Sequence, residues 1–175
     1  VKPKNEALWQ KPQVSYRDIT FRSADGTRLS GWFIPAKSPK GTVVLCHGVD
    51  GTRISMLAPA MTLHAEGFNT LLFDFRGRGE SEQTRCTIGY RETEDFLAAV
   101  NEVLKQPEAG SLPVGAMGHS QGGAVVIMGA ARNPAIKAVL AESAFARLDH
   151  AVDNHFRSLF GSASHALAVP VRLIG

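Results

Sequence analysis

The run Pro113-Val114-Gly115-Ala116-Met117 leads without a break into Gly118-His119-Ser120-Gln121-Gly122-Gly123 and then into the apolar stretch 124–131. The first run has the character of a strand covered on both faces, and the last predicts a wholly buried helix. Only six residues separate them, three of them glycine. A strand-to-helix reversal that short bends the backbone sharply and projects the Ser120 hydroxyl into open space. Gly118 and Gly122 flank the bend because a side chain there would collide across the turn. The competing reading is a glycine-rich turn that only packs closely, or that receives a phosphate at the helix start.

The rest of the chain supplies a sheet for this bend to stand on. Residues 16–22 alternate as a strand, Asp25-Gly26 is a hairpin signal, and residues 28–34 return as the partner strand before Pro35. Residues 42–46, 69–73 and 136–141 join 113–117 as apolar runs that read as buried strands. Helices are predicted over 55–66, ended by Gly67, and over 90–106, ended by Pro107. In the second of these Phe96, Leu97, Val100, Val103 and Leu104 share a face, with Glu92, Glu94 and Asp95 at the start and Lys105 at the end, as the helix dipole favours. Strands alternating with helices imply right-handed crossovers and a mostly parallel α/β sheet with helices on both faces. In such sheets functional groups gather at the carboxyl ends of the strands. That places His47-Gly48, the segment from Asp74, Ser120 and Glu142 around one crevice.

Composition removes several alternatives. Of 175 residues 44% are apolar and 20% charged, which argues against disorder and coiled coil. Nineteen basic against sixteen acidic residues give +3, spread rather than clustered, so no nucleic-acid groove is expected. Cys46 and Cys86 have neither disulfide-like nor metal-like spacing. Asp149, His150, Asp153 and His155 have helical spacing but lack a matching further ligand, so no metal and no organic cofactor is expected. No apolar run approaches the roughly 20 residues a bilayer needs. The chain starts at Val1, which leaves room for an upstream signal or anchor, and the cytoplasm is only slightly preferred as location.

A serine attacks an acyl carbon effectively only where the resulting oxyanion is stabilised. The helix opening after Ser120 offers the Gln121 N–H, and the loop after strand 42–46, with His47 and Gly48, offers a second donor at Val49. His119 fills the variable slot of the bend, where its backbone matters more than its ring. His64 falls in the first helix. Arg76 and Arg78 are candidates for holding an anionic substrate group at the rim, against the plainer reading of solvated loop arginines.

These residues together resemble the α/β-hydrolase fold family, in its bacterial serine-hydrolase branch. The resemblance rests on the His47-Gly48 turn, the Gly118-to-Gly123 bend, Leu29-Ser30-Gly31-Trp32-Phe33-Ile34-Pro35, the loop Asp74-Phe75-Arg76-Gly77-Arg78-Gly79-Glu80-Ser81, and Val139-Leu140-Ala141-Glu142-Ser143-Ala144-Phe145. It covers residues 16–145 in collinear order. It implies hydrolysis of an ester, thioester or amide through an acyl-serine intermediate, as in esterases, lysophospholipase-like enzymes and serine aminopeptidase-like proteins. It also implies an acid and a His after two further strands, which the resemblance would place beyond Gly175.

The chain is therefore expected to be a C-terminally truncated, poorly active fragment lacking the last strands. Its expected parts are an N-terminal extension (1–15), a partial core (16–145) and a helical connecting or cap segment (146–175). Glu142 with His150, His155 or His165 is the internal substitute for the missing pair. The opposing reading puts Leu148, Val152, Phe156, Leu159 and Phe160 on one helix face, leaving His150 on the solvated side. The alternative function is a non-catalytic binding or interaction module on the same scaffold. Expected partners are a small acyl substrate and, through an unpaired sheet edge, a second copy of the chain.

Overall fold

A computed structural model describes residues 11–147. The chain divides into two compact units, Val1–Ala144 and Phe145–Gly175, and the second is described only to residue 147. Strands β1 (Arg17–Arg22) and β2 (Arg28–Ile34) form the expected antiparallel hairpin. Its turn closes through the Ser23 N–H donating to the Thr27 carbonyl and the Gly26 N–H to the Ser23 carbonyl. Then follow β3 (Thr42–Cys46), a short 3-10 turn (Arg53–Met56), α1 (Leu57–Ala65), β4 (Asn69–Asp74), α2 (Tyr90–Leu104), β5 (Val114–His119), α3 (Gln121–Ala130) and β6 (Ile136–Glu142). The six strands lie in the order β1-β2-β4-β3-β5-β6. β2 runs antiparallel to β4, and β3, β4, β5 and β6 are mutually parallel.

Two-residue alternation divides the apolar residues between the two faces. Leu71 and Phe73 of β4 with Val44 and Cys46 of β3 join the cluster that includes Phe96, Val100 and Val103 of α2 and Val125 and Val126 of α3. Leu72 and Leu45, one residue out of phase, join Met56 and Ala60 on the α1 side. Gly129 lets α2 and α3 approach, since a Cβ there would stand 2.4 Å from the Phe96 ring. The face of α2 differs slightly from the sequence reading: Ala99 is buried and Leu104 is 43% exposed.

The chain order sets the location of the crevice. From β3 the chain crosses through α1 to β4 on one side, while β5 lies on the other side of β3 and crosses through α3 to β6. Crossovers of one hand leaving in opposite directions put α1 and α3 on opposite faces and open a gap above the carboxyl ends of β3 and β5. Cys46 pairs with Gly118 in the ladder, so the residues after Cys46 and after Gly118 face each other across that gap.

Two expectations need correction. The third helix begins at Gln121, not Ala124, because Gly122 and Gly123 pack within it rather than breaking it. Among the described residues β6 is not covered on both faces: Ile136 is buried, but Lys137 to Glu142 are exposed, with Val139 at 40% and Leu140 at 55%. Among the described residues its outer edge carries no partner strand. No helix among those residues is long and apolar enough to cross a membrane.

Candidate active site

Ser120 sits between β5 and α3 with φ 54° and ψ −116°. A left-handed φ at a residue with a Cβ costs on the order of 1–3 kcal/mol and persists only where neighbours enforce it. Two sets of contacts do so here. The Ser120 N–H donates to the Glu142 carbonyl at 2.8 Å, tying the bend to the end of β6. Gly118 and Gly122 then close the bend by direct backbone packing. A Cβ on Gly118 would lie 2.2 Å from the Gly122 carbonyl oxygen, and one on Gly122 would lie 2.2 Å from that of Cys46 and 2.7 Å from that of His47. Neither position has room for a side chain, as the motif predicts.

The loop after β3 reaches this bend from the other side. A Cβ on Gly48 would stand 3.4 Å from the Ser120 Cβ and 3.4 Å from the His119 ring, so its backbone lies directly against the serine. Val49 follows, half-buried, and its N–H makes no backbone hydrogen bond among the described residues. Gln121 is 2% exposed and opens α3, where the first N–H groups have no intrahelical acceptor. The structure thus brings Ser120, Gln121, Gly48 and Val49 together. The opening of α3 adds the positive end of a helix dipole, which favours negative charge at this point.

His47 is 1% exposed and is fixed through both ring nitrogens. Nδ1 lies 2.7 Å from the Gly48 carbonyl, and Nε2 accepts from the Phe75 N–H at 3.1 Å. Burial lowers its pKa below the ordinary 6.5, and Arg78 adds to that, against the opposing pull of the Gly48 carbonyl and Asp74. His119 is half-exposed and places Nδ1 3.4 Å from the Glu142 carboxylate. Among the described residues no imidazole hydrogen-bonds the Ser120 hydroxyl. Glu142 thus meets His119, while His150, His155 and His165, like the helix read around Leu148 and the Asp149 and Asp153 spacing, lie outside the described residues. His64 lies on α1, as expected.

The segment after β4 corrects the reading of both arginines. Arg76 is 1% exposed and binds Asp95 with Nε at 3.0 Å and Nη2 at 2.6 Å, and also Asp25 and Ser23. It faces inward and is saturated, so it holds no substrate group at a rim. Arg76 in turn holds the Asp25 carboxyl well below the usual range. Arg78, partly buried, donates from Nε to the Val49 carbonyl at 2.7 Å, so it grips the loop after β3.

Three further residues make contacts that the sequence analysis does not assign to them. Asp74, fully buried, accepts from the Arg53 N–H at 2.7 Å and the Glu80 N–H at 3.0 Å. Arg53, also buried, pairs with Glu80, donates to Ser30 at 3.0 Å and lies 4.3 Å above the Trp32 ring. Glu92 anchors the segment before α2: burial raises its pKa, but the N–H groups of Thr87 and Gly89 outweigh that and leave it lowered. The partners of Arg53 lie 21 to 27 residues away in sequence, where no local pattern points to them, whereas Glu92 accepts from the Gly89 N–H three residues before it, a local helix-start pattern.

Comparison with known proteins bears on the family and the fold. Residues 37–173 match the family model described as "Serine aminopeptidase, S33". The uncharacterized protein YfhR of Escherichia coli is 32% identical over 139 residues, covering 75% of this chain and 48% of that protein. The uncharacterized protein Rv2307c of Mycobacterium tuberculosis is 32% identical over 126 residues, covering 71% and 44%. The chain spans about half the length of these relatives. Among solved structures, the esterase Pf2001 of Pyrococcus furiosus superimposes with a TM-score of 0.76 at 30% identity, covering 86% of this chain and 58% of that one. A dienelactone hydrolase from Anabaena variabilis gives 0.67 at 25% identity, covering 79% and 67%.

Proposed function

Because the chain belongs to the serine aminopeptidase S33 family and has the α/β-hydrolase fold, we propose that it carries the nucleophilic half of a serine hydrolase acting on an ester, thioester or amide. In this reading the Ser120 oxygen attacks the acyl carbon as its proton passes to a base. The carbonyl π electrons move onto oxygen, which the Gln121 and Val49 N–H groups receive. Collapse of that intermediate expels the leaving group with a proton and leaves an acyl-serine, which water then cleaves. The helix dipole at Gln121 favours the same oxyanion. We assign the base and its carboxylate partner to sequence outside the described residues.

The observation that carries this reading is the left-handed Ser120 with Gly48 packed against its Cβ. A structural turn needs no serine at φ 54°, where glycine would be free of strain. Among ester, thioester and amide, the 30% identity to an archaeal esterase favours an oxygen ester as the first substrate to try.

A second reading has its own observation. No imidazole among the described residues reaches Ser120, which suits a binding module that keeps the scaffold without the chemistry. A fluorophosphonate probe separates the two, with adducts mapped by peptide mass spectrometry on the full chain and on Ser120→Ala. A slow adduct at Ser120, absent in Ser120→Ala, is expected. A folded chain that forms no adduct there would support the binding module instead.

A further inference from the structure

A trans peptide is a rigid plane in which the carbonyl of one residue and the N–H of the next point in opposite directions. The Gly48 carbonyl and the Val49 N–H are the two ends of one such plane. Fixing the carbonyl therefore fixes the direction of the N–H, and two groups hold it: the Gly51 N–H at 3.0 Å, from within the same loop, and His47 Nδ1 at 2.7 Å, which alone ties it to the rest of the sheet. On the far side of the ring, the Phe75 N–H points at Nε2 from 3.1 Å.

The partners themselves determine the form of the ring. A backbone carbonyl can only accept and a backbone N–H can only donate. The imidazole satisfies both only as the neutral species with its proton on Nδ1. The other neutral form would set donor against donor at Phe75 and leave Nδ1 facing a carbonyl with no proton between them. The ring is 1% exposed, and the Phe75 ring packs edge-on against it at 4.9 Å, so water does not substitute for either partner. The next peptide plane is held independently, by Arg78 on the Val49 carbonyl.

We propose that His47 is a positioning residue. It acts as a rigid spacer between the Phe75 backbone at the end of β4 and the Gly48–Val49 peptide, and it aims the Val49 N–H at the space over Ser120. Hydrogen bonding into the Gly48 carbonyl also polarises that peptide and strengthens its N–H as a donor. His47 touches neither substrate nor reacting atoms. The proposal rests on the reading that Ser120 is the nucleophile and Val49 an oxyanion donor, and it extends that reading to what orients the donor.

Two substitutions divide the ring's functions. The amide nitrogen of Asn occupies the place of Nδ1, so His47→Asn keeps the donor to Gly48 and loses the acceptor for Phe75. The amide of Gln reaches the place of Nε2, so His47→Gln keeps the acceptor and loses the donor. Each variant loses one buried hydrogen bond, and matched urea midpoints for the two confirm equal structural damage. On the full chain, the rate constant for fluorophosphonate adduct formation at Ser120 should fall about 10- to 100-fold in His47→Gln, with the half-saturating probe concentration unchanged. In His47→Asn it should stay within about 3-fold of wild type, because the donor that aims the peptide is retained. Equal losses in both variants, or no loss in either, overturn the proposal.

If the wild-type chain forms no adduct at Ser120, the nucleophile reading fails, and long-range 1H–15N spectra then decide the placement of the ring by itself. Protonated Nδ1 with bare Nε2, and a Val49 amide resonance displaced in His47→Gln but not in His47→Asn, support it. A proton on Nε2, or a Val49 resonance indifferent to both changes, overturns it.

Discussion

The two loops that meet at Ser120 are held in opposite ways. The bend after β5 is held by glycines: Gly118 and Gly122 put backbone against backbone, and its long-range backbone tie is the Ser120 N–H to the Glu142 carbonyl. The loop after β3 is held by side chains. The side chains of His47, Asp74 and Arg78 link it to the end of β4 and the segment after it through three hydrogen bonds of 2.7–3.1 Å. One arm is specified by what its residues lack and the other by what they carry. The bend should therefore tolerate no added atom, while the braced loop should lose its stiffness in steps.

The largest effect is expected at Gly122. In Gly122→Ala the new methyl would meet two backbone oxygens that cannot rotate away, so β3 and α3 must separate. A loss of about 4 kcal/mol or more, read from urea unfolding, is expected, above the common overpacking range because the clash is with main chain. A loss under about 1 kcal/mol would mean that the bend is not held by close packing.

On the braced side, Arg76 is the corresponding test. Its guanidinium balances Asp95, which is fully buried. Arg76→Met removes the cation and strands that carboxylate, for which about 3 kcal/mol is expected. Arg76→Met with Asp95→Leu should recover most of that loss, since a buried pair replaced on both sides is often neutral. Failure of the double variant to recover would place the cost at Asp25 and Ser23 instead.

Acid should affect the braced loop before it affects the bend. His47 has a folded pKa below 6.5, so the unfolded chain binds more protons as pH falls from about 6.5 towards the folded value. Stability is lost on lowering pH through that window, by up to about 1.4 kcal/mol per pH unit. Glu92 contributes lower down, since its depressed pKa makes its stabilisation disappear as pH drops below about 4.5. Urea midpoints against pH should therefore show two descents, with the upper one absent in His47→Gln. A single descent below pH 4.5 in the wild type would contradict the neutral buried ring.

The same contrast explains what the sequence makes legible. Glycine spacing is a local signal, so Gly118, Ser120 and Gly122 can be read from six consecutive residues, and the apolar runs of β2 and β3 announce their boundaries to the residue. The start of α3 was obscured because Gly122 and Gly123 score as helix breakers, although close packing overrides that propensity. The side-chain braces were not legible. Arg76 finds Asp95 at 19 residues and Asp25 at 51, and Arg53 finds Asp74 at 21, and nothing local distinguishes them from solvated loop charges. β6 misled in another way: an apolar run announces that it will be covered, but not by which residues, and those described here leave Val139 and Leu140 exposed.

The smallest effect should come from the pair that joins the bend to β6 on its outside. His119 and Glu142 approach to 3.4 Å, but their side chains are 50% and 61% exposed, so solvent screens the attraction. His119→Ala and Glu142→Gln should each change stability by less than about 0.5 kcal/mol, with a double-mutant coupling of similar size. The second variant also bears on chemistry. If Glu142 orients a base for Ser120, Glu142→Gln should slow adduct formation at Ser120 by orders of magnitude while stability barely moves. If it only rests against His119, both measurements stay near wild type. The Ser120 N–H bond to residue 142 is made by its backbone and survives the substitution, so a large change in rate would point to the carboxylate alone.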